Sequence, residues 1–377
     1  MQCARFNKKR PIKEEIVGFL YCAPAVCVIG GEYEILVCAK ENGIFSVKIG
    51  ADFYYEENCG VLCSERRFAK IRVPQSVLNR AGEYEVVYRK TQRKAYFPVL
   101  GAPTCKNFVF SPPKSGKLNL YHVADVHGRF ELARRCCSFF GNETDLFIVN
   151  GDIGEVECEQ DYLDSLNFLA DIAKGEIPIV FTRGNHDTRG KFAEKFSDYF
   201  PADGKNTYYD FTFADLYGIV FDCGEDKADV HREYGGNGLN EFGVNRFEDF
   251  RRRETEFFKS LVKQDRFTLA IGHIPPVQAS FNVGDEFDIE RETYRRWNEE
   301  FERLDVRMMI CGHMHKAYIL KADDQMNLLP HRYPVVVGSS CGFGGKRETL
   351  TGAAVTLCGG RAEVWFNDSD GNKRKVL

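Results

Sequence analysis

The segment Arg183-Gly184-Asn185-His186-Asp187 decides how the chain is organised. It follows the apolar run 177–181, which predicts a buried strand. Gly and Asn both tolerate positive φ, so the segment alone is compatible with an ordinary turn after a strand. Asn185 also offers an amide oxygen to a metal ion, and His186, directly beside it, is better placed to serve a substrate than the same ion. The rest of the chain decides between these interpretations.

Four further polar segments of this kind follow apolar runs elsewhere in the chain. They are Asp125-Val126-His127-Gly128, Asn150-Gly151-Asp152, Gly272-His273 and Gly312-His313-Met314-His315. Together the five segments hold five of the eight histidines of the chain. Turn formation alone does not explain so many metal-binding residue types at equivalent places.

The composition limits the class of protein. A chain of 377 residues, 44% of them hydrophobic, is long enough for two domains. The net charge is -4 and the basic residues are scattered, so nothing indicates a nucleic-acid partner. The 14 cysteines are spread through apolar runs, as free cysteines are in a reducing compartment. No run approaches the ~20 apolar residues of a membrane span, so we expect a cytoplasmic protein without membrane contact.

The first part of the chain predicts a small all-β sandwich domain, of fibronectin or immunoglobulin type, over residues 1–110. Short β-rich runs alternate there with turns, and residues 83–88 alternate polar and apolar side chains as a half-buried strand does. The Pro-rich segment 111–117 then predicts a short linker.

Residues 118–377 predict an α/β domain. Strands are expected at 117–124, 145–150, 177–181, 268–271 and 308–311, and helices at 131–140, 161–173 and 246–262. This alternation favours a largely parallel sheet, and open sheets of that class bind ligands at the carboxyl ends of their strands. The glycine-rich loop Tyr234–Gly238 is a candidate rim of that site.

The candidate ligands supply oxygen and nitrogen donors and no thiolate. They are Asp125, His127, Asp152, Asn185, His273, His313 and His315. This mixture suits Mn²⁺, Fe²⁺ or Zn²⁺. Seven ligands exceed the need of one catalytic ion, so two divalent metal ions sharing a bridging carboxylate fit better. Such two-metal sites cleave phosphate esters.

In their order along the chain, the five segments resemble the motifs of the calcineurin-like metallophosphoesterase superfamily. The resemblance spans roughly residues 118–344 and implies a two-sheet α/β/β/α sandwich. A β-sandwich ahead of such a domain resembles the layout of purple acid phosphatases.

The resemblance also implies roles for single residues. One metal would be held by Asp125, His127 and His315, and the other by Asn185, His273 and His313, with Asp152 bridging. A hydroxide bridging the metals would attack the phosphorus in line. His186 would contact the phosphate and protonate the leaving oxygen, and Asp187 would either orient His186 or serve the turn.

Two positions depart from the purple acid phosphatase pattern. Those enzymes carry a tyrosine ligand three positions after the bridging aspartate, where this chain has Glu155, and a glycine where it has His127. We therefore expect a colourless enzyme with divalent metals, without a tyrosine-to-iron absorption band.

The leading hypothesis is hydrolysis of a phosphate monoester or diester of a small molecule. A nuclease of the same superfamily is the nearest alternative, but it would require a basic groove or a stacking platform. A non-catalytic scaffold is the third, since some superfamily members keep the fold without metal ligands.

Overall fold

The computed structural model describes residues 18–236, 243–280, 282–338 and 348–377. In chain order its strands are β1 (Ala25–Ile29), β2 (Glu32–Ile49), β3 (Asp52–Tyr55), β4 (Glu57–Asn58), β5 (Val61–Leu62), β6 (Arg66–Pro74), β7 (Glu83–Arg93), β8 (Val99–Leu100), β9 (Thr104–Val109), β10 (Lys117–Val123), β11 (Leu146–Asn150), β12 (Ile179–Thr182), β13 (Tyr209–Phe213), β14 (Leu216–Val220), β15 (Phe267–Ile271), β16 (Val306–Cys311), β17 (Tyr318–Leu320), β18 (Val335–Val337), β19 (Thr351–Cys358), β20 (Arg361–Asp368) and β21 (Lys373–Lys375). Its α-helices are α1 (Gln75–Ala81), α2 (Phe130–Cys137), α3 (Glu159–Ala173), α4 (Phe196–Tyr199), α5 (Phe247–Ser260) and α6 (Arg291–Arg303).

Most of the strands form two sheets that face each other. The larger has the order β21-β20-β19-β10-β11-β12-β1-β2-β7-β8, with β3, β6 and β9 paired at its side. The smaller has the order β13-β14-β15-β16-β18-β17. Strands β10, β11 and β12 run parallel, as do β14, β15, β16 and β18. The predicted parallel arrangement therefore occurs at the centre of both sheets.

Three apolar layers hold the sheets and helices together. The layer between the sheets contains Leu120 and Ile148 from the larger sheet and Leu269 from the smaller. Helices α2 and α3 cover the outer face of the larger sheet, where Tyr121 lies, because successive strand residues point to opposite faces. Helices α5 and α6 cover the smaller sheet. These layers give the predicted α/β/β/α sandwich.

Helix α3 illustrates how local sequence makes one of these layers. The Asp161 carboxylate accepts hydrogen bonds from the backbone amides of Glu157 (2.8 Å) and Cys158 (2.9 Å), which would otherwise lack partners at the helix start. Further along, Leu166 and Leu169 are among the buried side chains of the apolar face. The helix ends at Ala173, and the next residue, Lys174, adopts the left-handed conformation.

The N-terminal strands extend the larger sheet. Strand β1 pairs in parallel with β12 through Cys27 and Ile179, so the sheet continues from the N-terminal strands into the α/β part. The 18-residue strand β2 pairs first with β1 and β6, then with β3 and β7. Gly30 also bonds to β13, donating to the Asp210 carbonyl at 2.8 Å. The division at residues 111–117 stays a prediction, but the hydrogen bonding continues across it.

The cysteines of the described residues are all free, and most are buried. Several of the buried ones lie in strands and helices, for example Cys27 in β1 and Cys136 in α2. Burial raises the pKa of both thiols. Both side chains therefore act as small apolar packing groups.

Candidate metal centre

The five predicted segments meet at one end of the facing sheets. Three follow the carboxyl ends of β10, β11 and β12 in the larger sheet, and two follow β15 and β16 in the smaller. Because β10, β11 and β12 are parallel to one another, as are β15 and β16, the carboxyl ends of these strands lie at the same edge of each sheet. The candidate ligands are therefore brought together from segments far apart in sequence.

A first group consists of Asp125, His127 and His315, whose donor atoms lie within 4.8 Å of one another. His315 Nε2 is 3.4 Å from Asp125 Oδ1 and 3.4 Å from His127 Nε2. Asp125 is fully buried, while the two histidines reach solvent. These are the three residues that the resemblance assigns to one metal.

Asp152 is shared by two further groups. It lies with Asp125 and His273 in one of them and with His127 and His186 in the other. Asp152 Oδ2 is 3.3 Å from His273 Nε2 and 3.8 Å from His127 Nε2. A carboxylate in this central position is where a bridging ligand would be needed.

Asn185 and His313 complete the cluster. His313 Nδ1 lies 3.1 Å from Asn185 Oδ1. The backbone amide of His313 donates to Asp125 Oδ2 at 3.0 Å, which ties the end of β16 to the end of β10. All seven predicted ligands thus belong to one connected set.

A hydrogen bond to the backbone fixes the orientation of the His273 ring. Its Nδ1 lies 2.7 Å from the backbone carbonyl of Asn150, an acceptor, so Nδ1 carries the proton. The opposite nitrogen, Nε2, then points to the Asp152 carboxylate. This Nε2 is buried and, among the described residues, has no partner in hydrogen-bond geometry despite its 3.3 Å distance from Asp152. The contact between Nδ1 and the Asn150 carbonyl is typical of metal-binding histidines, which donate the proton of the other ring nitrogen to a neighbouring acceptor.

The cluster attracts positive charge. Burial lowers the pKa of His273, but the charges of Asp152 and Asp125 outweigh it and raise the pKa to about 10. Burial opposes ionisation of Asp152, yet His273 and its neighbours hold the pKa of this carboxyl well below its usual value. The pKa of Asp125 is likewise lowered, because His273 and His315 outweigh the effect of burial. Two ionised carboxylates in a buried site favour a cation.

The residues present fit divalent metal ions. Carboxylate and amide oxygens with imidazole nitrogens suit Mn²⁺, Fe²⁺ and Zn²⁺. A buried imidazole nitrogen without a hydrogen-bond partner is uncommon in proteins. A metal ion beside His273 Nε2 would satisfy that nitrogen and the charges of the two carboxylates.

Several of the candidate ligands have a left-handed backbone conformation, which sets the direction of their side chains. The φ angles are positive at Asp125 (52°), His127 (45°), Asp152 (55°), His313 (67°) and His315 (52°). The left-handed region costs roughly 1–2 kcal/mol for residues with a Cβ. Such strain persists where surrounding contacts enforce it, commonly at functional sites.

His186 and Asp187 have different surroundings. The His186 side chain is half exposed, and its Nε2 lies 4.0 Å from Asp152 Oδ2. The Asp187 carboxylate is buried and accepts hydrogen bonds from the backbone amides of Gly184 (2.7 Å) and Asp152 (2.9 Å). These contacts join two ligand loops, so they favour the turn-forming role of Asp187 over the orientation of His186.

Sequence reasoning assigned no role to three residues that support the ligands. Asn150 donates through Nδ2 to the carbonyls of Gly272 (3.1 Å) and Ile310 (3.2 Å), linking the two sheets. Arg129 donates to the Asp125 carbonyl at 2.8 Å. Asp226 accepts from Asn185. Each of the three lies in, or directly after, a polar segment that follows an apolar run. This position in the sequence was the only indication that they belong to the site.

The predicted rim loop is only partly described. Asn237 and Gly238 lie outside the described residues. Tyr234, at its start, is buried and donates to Glu225 Oε2 (2.9 Å) and Asp226 Oδ1 (3.0 Å). The loop therefore begins next to the ligand cluster.

Comparison with known proteins agrees with this geometry. The family model described as calcineurin-like phosphoesterase matches residues 118–317, more than half of the chain. The chain belongs to the calcineurin-like phosphoesterases. The matched range contains all seven candidate ligands, and membership supports phosphoester hydrolysis in general.

Two solved structures share the fold of this chain. The purple acid phosphatase PPD1 from yellow lupin (Lupinus luteus) seeds aligns with a TM-score of 0.63 and 12% identity, covering 94% of this chain and 73% of that one. A structure of PhoD aligns with a TM-score of 0.51 and 11% identity, covering 96% and 93%. Both alignments include the N-terminal strands. At such identities the similarity is one of fold.

No curated protein matches this calcineurin-like phosphoesterase in sequence. None of the helices in the described ranges is long and apolar enough to cross a membrane.

Proposed function

We propose that this chain is a dinuclear metallophosphoesterase that hydrolyses a phosphate monoester or diester of a small molecule. One observation carries the proposal: Asp152 Oδ2 lies 3.3 Å from His273 Nε2 and 3.8 Å from His127 Nε2, two histidines that the family pattern assigns to different ions. A carboxylate between ligands of two different ions provides for two adjacent ions rather than one. Family membership supports the reaction class.

The proposed ligands divide between the two ions. Asp125, His127 and His315 would hold one ion, Asn185, His273 and His313 the other, and Asp152 would contact both. Mn²⁺, Fe²⁺ and Zn²⁺ suit these donors. Two divalent ions bound there would polarise the phosphoryl oxygens and lower the pKa of a water molecule towards neutrality.

His186 is proposed to bind the phosphate and to protonate the leaving oxygen. Its backbone amide donates to Asp152 Oδ1 at 2.9 Å, which fixes the residue beside the cluster. Its ring is half exposed, so a substrate can contact it from the solvent. Arg189 Nη1 lies 3.5 Å from His186 Nε2, so a guanidinium group lies beside this ring. Imidazole can donate a proton near neutral pH.

The direct test compares hydrolysis of p-nitrophenyl phosphate and bis-p-nitrophenyl phosphate with Mn²⁺ and after chelation. We expect chelation to abolish turnover and added metal to restore it, and the preferred compound distinguishes monoesterase from diesterase. Asp152→Asn should lower turnover by orders of magnitude. The control is Asp145→Asn, the same change at the opposite end of β11, where the carboxylate accepts from the Asn119 amide (2.8 Å).

A leaving-group series tests His186. His186→Ala should lower turnover of alkyl phosphates by about 10²–10⁴-fold, the usual contribution of general acid catalysis. It should affect p-nitrophenyl phosphate much less, because p-nitrophenolate leaves without a proton. An equal loss on both substrates would contradict the proton-donor role. Wild-type protein with neither bound metal nor turnover would instead indicate the scaffold.

A further inference from the structure

The orientation of the Asn185 side chain requires an explanation. A carboxamide has an oxygen end and an amino end of nearly the same size, and only the oxygen can bind a cation. Rotation by 180° about the last side-chain bond would exchange the ends and turn a ligand into a group that repels the metal. A metal ligand of this type therefore needs a contact that distinguishes the two ends.

Asp226 provides such a contact. Its Oδ2 accepts a hydrogen bond from Asn185 Nδ2 at 3.2 Å. Because an ionised carboxylate only accepts hydrogen bonds, the amino end of Asn185 must face it. The oxygen end then points the other way, to within 3.1 Å of His313 Nδ1. Both carboxamide ends thus have defined neighbours, and the oxygen lies beside a second predicted ligand of the same ion.

Asp226 is in turn held in place by three donors. Its Oδ1 accepts from Arg189 Nη2 (3.0 Å) and from the Tyr234 hydroxyl (3.0 Å), and Lys227 Nζ lies 3.4 Å away. Arg189 is itself anchored on Glu225, with Nη2 2.6 Å from Oε2. These donors occupy one carboxylate oxygen and leave the other for Asn185. Asp226 is also buried, so water competes little for that contact.

We propose that Asp226 is a positioning residue of the metal centre, which fixes the Asn185 carboxamide with its oxygen towards the ion shared with His273 and His313. The inference rests on the proposed dinuclear function, but it concerns metal affinity rather than turnover. Residues that orient metal ligands typically contribute about 10–100-fold to metal affinity.

The test is a titration of metal-free protein with Mn²⁺ against a chromophoric chelator. The wild type should bind two ions. Asp226→Asn should weaken one of them by about 10–100-fold and leave the other nearly unchanged. The reason is that the introduced carboxamide has a single acceptor oxygen, which cannot serve both Asn185 and the donors on its other side. The control Asp145→Asn should bind both ions as the wild type does.

An exchange of the two side chains tests whether Asp226 acts through its contact with residue 185. In an Asn185→Asp background, Asp226→Asn restores the hydrogen bond with donor and acceptor reversed. The loss of affinity caused by Asp226→Asn should therefore be at least about tenfold smaller in that background than in the wild type, a coupling measured by a double-mutant cycle. A loss of the same size in both backgrounds would show that the contact between the two side chains is not involved and would overturn the proposal.

Folding of each variant is checked by circular dichroism before titration. If Asp226→Asn does not fold, Tyr234→Phe replaces it, because it removes one donor from Asp226 Oδ1 and leaves the carboxylate in place. It should weaken the same ion severalfold. Two tightly bound ions in every variant would refute the role of Asp226 while leaving the dinuclear function intact. Failure of the wild type to bind two ions would refute the proposed function itself.

Discussion

Gly184 shows how closely the ligand loops approach each other. A Cβ at this position would lie 2.2 Å from Asp152 Oδ1 and 2.6 Å from the Asp152 backbone nitrogen. The backbone amide of Gly184 also donates to Asp187, which in turn accepts from Asp152. The Asp152 carboxylate can occupy its position only because Gly184, on the neighbouring loop, has no side chain.

We predict that Gly184→Ala displaces Asp152 and weakens metal binding. Overpacking of this kind typically lowers the free energy of unfolding by about 1–3 kcal/mol. Chemical denaturation and Mn²⁺ titration measure the two effects. Gly31→Ala is the matched control, since a Cβ there meets nothing within 4 Å. Wild-type metal affinity in Gly184→Ala would mean that the carboxylate can move without loss.

At the scale of elements, α6 is a helix that sequence analysis did not assign. Its sequence is dominated by Arg and Glu, and few apolar residues mark its buried face. Of these, Tyr294, Trp297 and Phe301 have helical spacing and are buried against the smaller sheet and α5. The indole of Trp297 donates to Thr255 on α5 at 2.8 Å. This layer supports β15 and β16, which carry His273 and His313.

We predict that Trp297→Ala lowers the free energy of unfolding by about 3–5 kcal/mol, as large truncations in a core do. Arg296→Ala, on the exposed side of the same helix, should change it by no more than about 0.5 kcal/mol. Urea denaturation followed by circular dichroism measures both. Similar small values for the two variants would show that the outer layer contributes little.

At the scale of the whole molecule, the N-terminal strands are bound to the phosphoesterase part by more than one contact. Beyond the pairing of β1 with β12, Lys70 Nζ donates to the carbonyls of Ser197 (3.0 Å) and Phe200 (2.7 Å). Arg72 donates to the carbonyl of Ala202 at 2.9 Å. These partly buried hydrogen bonds and the continuous sheet imply that the two parts unfold together.

We predict that a fragment of residues 111–377 does not fold independently, because removal of β1 exposes the edge of β12. Both tryptophans, Trp297 and Trp365, remain in the fragment, so fluorescence reports its unfolding. The fragment should aggregate or lack a cooperative transition, and co-expression of residues 1–110 should restore it. A soluble fragment that unfolds cooperatively would instead support the independent domains predicted from the sequence.

The sequence predicted much of the fold and of the candidate site because the signals are local. Strand β11 was predicted at 145–150 and lies at Leu146–Asn150, and helix α3 was predicted at 161–173 and lies at Glu159–Ala173. A ligand that follows a strand can be recognised from adjacent residues alone. The charged helix α6 was not predicted, because three aromatic residues among many charged ones give only a weak helical periodicity.

The sequence by itself determined which donor types are present, their order, and that they stand at strand ends. Only the tertiary structure decided that Asp226 holds Asn185, that Asn150 links the sheets, and that β1 continues the larger sheet. These contacts join residues 41, 122 and 152 positions apart, the last being Cys27 and Ile179. Such pairings depend on how whole layers pack, since no local pattern specifies which distant group a side chain will meet.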